Sequence, residues 1–212
     1  MRKIVSIGLA GLAIIAIGSF IALRDGGLFS FRTIEAKEEA GTQAVSEKSA
    51  RSLQQKIDAL KAASEDPKHK SGSSRMEVSE AELESYLLYS LKEEIPAQID
   101  SADVQLSPDT VALETQITFS SGATGNSVVD ALVGGTHNLF VKGKLVASDA
   151  VGKFDLLDVR VDSIPVPNIL IQTLIKKYVN PKYPDVDINE PFDMPWGIQS
   201  VKVDKGKATI VY

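Results

Sequence analysis

Alternation of apolar and polar side chains with a period of two is the feature that most constrains the fold of this chain. Residues 111–119 show the pattern clearly, because the side chains at every second position are apolar or Thr: Val111, Leu113, Thr115, Ile117 and Phe119. The same pattern returns over residues 137–148 and 151–163. Each segment is therefore predicted to be a β-strand with one face on the core.

Short connections between these segments predict antiparallel hairpins. Residues 107–110 read Ser-Pro-Asp-Thr, which suits a tight turn between residues 104–106 and the strand at 111–119. Asp149 and Ala150 leave only a short corner between the two longer strands, so these strands are also expected to pair antiparallel.

The end of the chain predicts a further hairpin. Residues 198–203 and 207–212 are joined through Gly206, which can supply the positive φ that a tight turn needs. Earlier in the chain, Leu156 and Leu157 interrupt the alternation, so a bulge or bend is expected at that position.

A capping signal predicts a helix before the strands. Ser79 is placed as the N-cap, and Glu82 follows three residues later to complete a capping box. Apolar residues then recur at every fourth position until Pro96: Leu83, Leu87, Leu91 and Ile95. The spacing indicates an amphipathic helix with a buried face.

A second amphipathic helix is predicted after a junction ordered by prolines. Residues 164–167 read Ile-Pro-Val-Pro, and each proline keeps the residue before it extended. Pro167 suits the first turn of a helix that ends near residue 180 and has one apolar stripe: Leu170, Ile171, Leu174, Ile175 and Tyr178. Together these elements predict an α+β fold, in which a curled antiparallel sheet of about six strands packs on two amphipathic helices.

An uncharged stretch near the N-terminus predicts a transmembrane helix. Residues 4–23, which begin with Ile4 and end with Leu23, are 20 residues without a charge and match a hydrocarbon core about 30 Å thick. Because Arg2 and Lys3 precede the stretch, the N-terminus is expected to be cytoplasmic. The chain is thus predicted to be a single-pass protein of the inner, cytoplasmic membrane whose C-terminal domain is extracytoplasmic, or periplasmic.

Cleavage as a signal peptide is the alternative fate of this stretch. Ala16 and Gly18 could form a small-x-small cleavage site. Lipoprotein processing is excluded, because the sequence has no Cys to acylate. Both remaining routes export the chain.

Three regions are predicted along the chain. They are a signal-anchor at residues 1–24, a polar helical or flexible stalk at 25–75 and the α+β domain at 76–212. The stalk has only three apolar positions at helical spacing: Leu53, Ile57 and Leu60. A stripe this thin favours a solvated helix, with a short coiled-coil dimer as the alternative.

Charge and composition exclude several classes of function. Residues 24–75 carry 10 basic and 8 acidic side chains, whereas residues 76–212 carry 11 basic and 20 acidic ones, a net charge of −9. Nucleic acid is not an expected partner, because phosphate binding needs a basic face. The absence of Cys excludes disulfides, thiolate catalysis and thiolate metal sites.

No catalytic or metal-binding pattern is evident, so neither a cofactor nor a metal is expected. His137 is the only His of the predicted domain, and His69 lies in the predicted stalk. Acidic residues crowd into one irregular stretch: Asp185, Asp187, Glu190 and Asp193. These acids lack the spacing of an EF-hand, so a solvated loop is favoured over a calcium site.

Apolar side chains in proline-ordered segments predict a binding groove between the sheet and a helix. Such a groove is the type of site expected for a lipid or another apolar ligand. We expect it to be lined by seven residues: Leu87, Leu91, Val166, Leu170, Leu174, Met194 and Trp196. The alternative is that these segments close a solid core.

The order of these elements resembles that of known bacterial exported proteins. The relevant features are the anchor, a helix opened by Val-Ser-Glu-Ala-Glu at residues 78–82, the Ile-Pro-Val-Pro junction at 164–167 and Pro-Phe-Asp-Met-Pro-Trp-Gly-Ile at 191–198. Over residues 76–212 the chain looks like the YpmS-like and LmeA-like groups of membrane-anchored proteins. The resemblance implies a tubular lipid-binding architecture and lipid handling in the cell envelope.

The sequence therefore favours a non-enzymatic envelope protein that binds a lipid or other apolar ligand. A structural module that recruits another envelope protein through its acidic face is the alternative. A hydrolase is the least favoured hypothesis, because no catalytic set accompanies His137.

Overall fold

The computed structural model of the protein describes residues 44–90, 98–119, 135–169, 171 and 190–212. The predicted membrane span at 4–23 and most of the predicted second helix lie outside these residues. Within the described part of the chain, no helix is long and apolar enough to cross a bilayer.

The described residues form an α+β fold that is rich in β-strands. The helical elements are α1 (Glu47–Glu65), α2 (Glu80–Ser85), a π-helical turn (Tyr86–Ser90) and a 3-10 turn (Pro195–Gly197). The strands are β1 (Arg75–Ser79), β2 (Gln98–Ser107), β3 (Thr110–Phe119), β4 (Gly135–Ser148), β5 (Val151–Val161), β6 (Ile164–Pro165), β7 (Phe192–Asp193), β8 (Ser200–Asp204) and β9 (Lys207–Val211).

All of these strands belong to one antiparallel sheet. The expectation of about six strands was too low, because the described residues contain nine, of which β6 and β7 have only two residues each. Strand β1 was not predicted, because its partner β9 lies at the far end of the chain. Pairing between such distant segments leaves no local trace in the sequence.

The predicted hairpins are confirmed, and each has a two-residue connection. Asp149 and Ala150 have φ values of 53° and 62°, as a type I′ turn requires. Gly206 has the expected positive φ of 79° in the turn between β8 and β9. The register between β4 and β5 shifts where Leu157 has no partner, which confirms the predicted bulge.

Strand β4 is the centre of the sheet, because it has neighbours along both edges. Strand β5 follows one edge, while the other edge is shared by β3 and, at Ala147, by Val201 of β8. The turn between β2 and β3 lies between these two neighbours: Asp109 N donates to Val203 O at 3.0 Å, and Leu145 N donates to Asp109 O at 2.9 Å. The hairpin β8–β9 therefore crosses the end of the hairpin β2–β3.

Helix α1 is packed into the core, so the expectation of a solvated stalk helix was wrong. Leu53 and Ile57 belong to the same buried cluster as Leu83 and Val104, and Leu60 is also buried. Three apolar positions are enough to anchor α1 in the core, because α2 and the 3-10 turn both lie against it. The folded body therefore includes residues that precede position 76.

The segment that joins α1 to the sheet is packed as well. The ring of His69 stacks on Tyr212 with centroids 5.6 Å apart, and its Nε2 lies 2.9 Å from Ser74 Oγ. Ser74 and Tyr212 exchange two backbone hydrogen bonds, which extend the pairing of β1 with β9. This part of the predicted stalk is thus ordered by the last residue of the chain.

Glu82 joins the two helices through a buried carboxylate. Its side chain is only 1% exposed and accepts hydrogen bonds from Lys56 Nζ at 2.6 Å and Ser52 Oγ at 2.7 Å, both on α1. It also completes the predicted capping box, because Ser79 N donates to Glu82 Oε2 at 3.0 Å. Burial raises the pKa of Glu82, but the hydrogen bonds and the charge of Lys56 outweigh burial, so the net pKa lies below its usual range.

Two other carboxylates of α2 cover the edge of β2. Leu106 N donates to Glu80 Oε1 at 2.7 Å, and Val104 N donates to Glu84 Oε1 at 2.9 Å. Strand β2 ends the sheet, and an uncovered edge of this kind is a template for pairing with another chain. The spacing of four residues on α2 matches alternate residues on β2, so the helix runs along the strand.

Truncating α1 at Ile57 tests its place in the core. We expect Ile57→Ala to lower the free energy of unfolding by about 2–5 kcal/mol, because it removes a buried side chain and leaves a cavity. Gln55→Ala, at an exposed position of the same helix, should change it by less than about 0.5 kcal/mol. Urea denaturation followed by circular dichroism measures both. An equally small effect of the two substitutions would show that α1 is solvated after all.

Removing the cation beside Glu82 tests the buried ion pair. We expect Lys56→Met to lower the free energy of unfolding by about 3–5 kcal/mol at pH 7, because an unpaired carboxylate is left buried. Since folding lowers the pKa of Glu82, its contribution is complete above about pH 4.5 and is lost as the pH falls through the native pKa. The difference between wild type and variant should therefore shrink towards pH 3 in urea titrations. Glu82→Gln, which cannot ionise at this position, provides the control, and a difference independent of pH would contradict the assignment.

Candidate apolar binding face

The side chains of β2 to β5 that point towards the helices form one continuous face, which we name the inner face. Where β2 and β3 lie beside β4, strand pairing arranges them in four rows, numbered from the β2–β3 turn towards the opposite end of the sheet. Row one is Leu106, Val111, Gly143 and Leu156, and row two is Val104, Leu113, Val141 and Val159. Row three is Ala102, Thr115, Leu139 and Val161, and row four is Ile99, Ile117 and His137.

Burial falls along the inner face from the first row to the last. In rows one and two every residue of β2, β3 and β4 is buried, and only the residues of β5 are partly exposed. In rows three and four Thr115 alone is buried, and the remaining side chains are half-buried. One end of the inner face is therefore closed, and the other presents aliphatic side chains that are only partly covered.

Aromatic side chains fill the closed half. The ring of Phe154 lies directly over Gly143, since a Cβ at that position would be 1.9 Å from Phe154 Cζ. The side chain of Tyr86 is fully buried and its hydroxyl donates to Gln54 Oε1 of α1 at 3.1 Å. Rows one and two thus form a packed core.

At the half-buried end the ring of His137 is paired with the carboxylate of Asp162. His137 Nδ1 lies 2.7 Å from Asp162 Oδ2, and Asn138 N donates to Asp162 Oδ1 at 2.9 Å. The hydrogen bond from His137, the Asn138 N–H and the charge of His137 together hold the pKa of Asp162 below its usual range. This pair fixes the turn at Asp162 and Ser163, whose residues both have positive φ.

Only some of the seven predicted groove residues lie in the described part of the chain. Leu91, Leu170 and Leu174 lie outside it. Leu87 is buried and belongs to the core cluster. Val166 is partly buried beside β5, where Val166 N donates to Val159 O at 2.9 Å.

Met194 and Trp196 pack together with the core at the other end of the inner face. Both are partly buried against the core cluster, and Met194 lies over Gly152, where an added Cβ would be 2.7 Å from Met194 Sδ. Trp196 has a φ of 50°, an uncommon conformation for a bulky residue. Since Gly152 pairs with Ala147, beyond row one, these two residues are far from Val166. The structure does not bring the described members of the predicted set into one groove.

The partly exposed aliphatic residues of rows three and four were not predicted as site residues. Leu139 and Val161 lie in segments that were predicted to be strands with one face on the core, but alternation assigns a face and says nothing about position along it. The decisive information is the register, which depends on pairing between distant strands.

Among the described residues no group of side chains is arranged to hold a metal ion. Glu190 and Asp193 are exposed, while Asp185 and Asp187 lie outside the described residues. His137 uses Nδ1 on Asp162, and the hydroxyl groups of Thr118 and Thr136 bond to each other at 2.7 Å on the opposite face of the sheet. Rows three and four of the inner face therefore offer mainly apolar contacts.

Comparison with known proteins adds no assignment to these observations. No protein-family model matches the sequence, and no curated protein matches it either.

Replacing Gly143 tests whether the first half of the inner face is filled. We expect Gly143→Ala to lower the free energy of unfolding by about 1–3 kcal/mol, because the new methyl group overlaps the ring of Phe154. The smaller side chain of Phe154→Leu should reduce the cost of Gly143→Ala when the two are combined. Denaturation of the four proteins of this double-mutant cycle measures the coupling. Additive effects would mean that the ring does not rest on Gly143.

Proposed function

We propose that the protein is a non-enzymatic, membrane-anchored protein of the cell envelope that binds a lipid or another apolar ligand. The observation that carries the proposal is the fall in burial along the inner face, which leaves rows three and four half-buried at one end of a closed core. Partly covered, contiguous aliphatic side chains at a fixed place in a fold are characteristic of sites for apolar ligands.

The shape and chemistry of rows three and four suit an acyl chain. Leu139, Val161 and Ile117 belong to adjacent strands, so their side chains lie on one surface and not on separate elements. Adjacent strands are separated by about 4.8 Å, which gives three strands a width comparable with one or two hydrocarbon chains. The ligand would contact this surface through apolar groups.

Charge supports a ligand held by apolar contact and not by a charged headgroup. Residues 76–212 carry a net charge of −9, which disfavours an anionic surface. His137 is the ionisable side chain of row four, and it is paired with Asp162. A neutral or zwitterionic lipid therefore fits the proposal best.

A partner-binding module is the second candidate. The filled half of the inner face, with Phe154 against Gly143 and Tyr86 fully buried, is the observation in its favour. A protein with a solid core would leave its acidic surface to recruit a basic partner. The two candidates differ in whether rows three and four contact a hydrocarbon.

Photocrosslinking of the full chain tests the lipid proposal. The protein is reconstituted into phosphatidylcholine vesicles that contain a phospholipid with a diazirine in its acyl chain, and labelled peptides are mapped by mass spectrometry. We expect labelling of Ile117, Leu139 and Val161 on the inner face. Labelling that is confined to residues 4–23, or equal labelling of the outer-face neighbours Gln116 and Phe140, would contradict the proposal.

A matched pair of variants sharpens this experiment. Leu139→Gln should reduce crosslinking to the inner face about fivefold or more, because it replaces an apolar contact by a polar group. Phe140→Gln changes the next residue of β4, which points to the opposite face, and should leave crosslinking unchanged. Circular dichroism verifies that both variants remain folded.

A further inference from the structure

The segment after β5 presents the most exposed large apolar side chains of the described residues. Ile164 is 69% exposed and Ile169 is 72% exposed, the two highest values among these side chains. We name residues 164–169, Ile-Pro-Val-Pro-Asn-Ile, the apolar tip. None of its six residues carries a charge.

The exposure of the apolar tip is fixed by the backbone. Val161 pairs with Ile164 across the two-residue turn at Asp162 and Ser163, whose φ values are 51° and 68°. Asp162 N donates to Asn138 O at 2.8 Å, which ties the turn to β4. Pro165 and Pro167 each fix their own φ and keep the residue before them, Ile164 and Val166, extended, which limits the conformations of this segment.

The apolar tip lies at the half-buried end of the inner face. Strand β6 pairs with Arg160 and Val161, and Val161 is the β5 residue of row three. Val166 N is bonded to Val159 O, the β5 residue of row two. An apolar ligand that entered or left rows three and four would therefore pass beside this tip.

We propose that the apolar tip contacts the surface of a lipid bilayer. This inference rests on the proposed function, because the purpose of the contact is the passage of a ligand between membrane and protein. A stable protein interface uses about 20–30 residues on each side, and the six residues of the tip fall well short of that size. Insertion of a few apolar side chains into the boundary between headgroups and acyl chains needs only a small surface. The tip brings no charge into the bilayer, so contact requires no ion to lose its water.

Depth-dependent quenching of a fluorophore tests this contact in the full chain. Because the sequence has no Cys, Ile164→Cys provides a single labelling position for an environment-sensitive dye. Lys205→Cys, exposed in the β8–β9 turn at the opposite end of the sheet, is the matched control. Both proteins are reconstituted into phosphatidylcholine vesicles with and without a lipid that carries a quencher on its acyl chain.

We expect the dye at position 164 to shift to shorter wavelength and to be quenched, and the dye at position 205 to show neither effect. In a chain labelled through Asn168→Cys, the added substitutions Ile164→Ser and Ile169→Ser should reduce quenching about threefold or more, because they remove the apolar anchors. Equal quenching at positions 164 and 205, or no quenching at 164, would overturn the proposal. All three labelled positions, 164, 168 and 205, are exposed, so we expect folding to be preserved, and circular dichroism verifies it.

The two proposals fail separately. Quenching at position 164 together with crosslinks confined to residues 4–23 would remove the lipid site and leave the membrane contact in place. Crosslinks on rows three and four without quenching at position 164 would remove the contact and keep the site.

Discussion

The carboxylate of Glu82 is the interaction on which the rest of the described structure depends. It caps α2 through Ser79, binds α1 through Lys56 and Ser52, and is almost fully buried. A buried carboxylate is costly unless all its acceptor sites are used, so the two helices must meet in one geometry. This constraint determines where the helices cover the sheet and therefore which rows of the inner face are closed.

Helix α2 also covers the edge strand β2, at which the sheet ends. Glu80 and Glu84 accept hydrogen bonds from alternate N–H groups of β2, so a strand edge that could extend the sheet is occupied. Burial raises the pKa of Glu84 while the hydrogen bond from Val104 N opposes it, and the charges of Asp103 and Glu80 raise it further. Edge protection and helix placement thus come from three acidic side chains within five residues, Glu80, Glu82 and Glu84. They belong to the excess of acidic side chains in residues 76–212.

Local signals in the sequence predicted most of the sheet. Features that depend on contacts between distant segments of the chain were not predicted. The hairpin at Asp149 and Ala150 and the bulge at Leu157 follow from neighbouring residues alone, and both are confirmed. Helix α1 was misjudged, because a thin apolar stripe is sufficient when a partner helix supplies Glu82 and the sequence does not show the partner. Rows three and four were not predicted as the candidate site for the same reason: Leu87 was correctly placed on a buried face, but it lies in the core, and register decides which inward side chains remain half-exposed.

Strands β2 to β5 form a closed core at one end and a partly exposed apolar surface at the other, because burial changes along their length. Gly143 admits the ring of Phe154 and closes row one, whereas four residues earlier on β4 Leu139 is half-buried. The pairing of β3 with β4 continues without interruption along all four rows, so the open end is held by the same kind of backbone pairing as the closed one. An apolar surface supported in this way need not reorganise to receive a ligand, and the conformational cost of binding is correspondingly small.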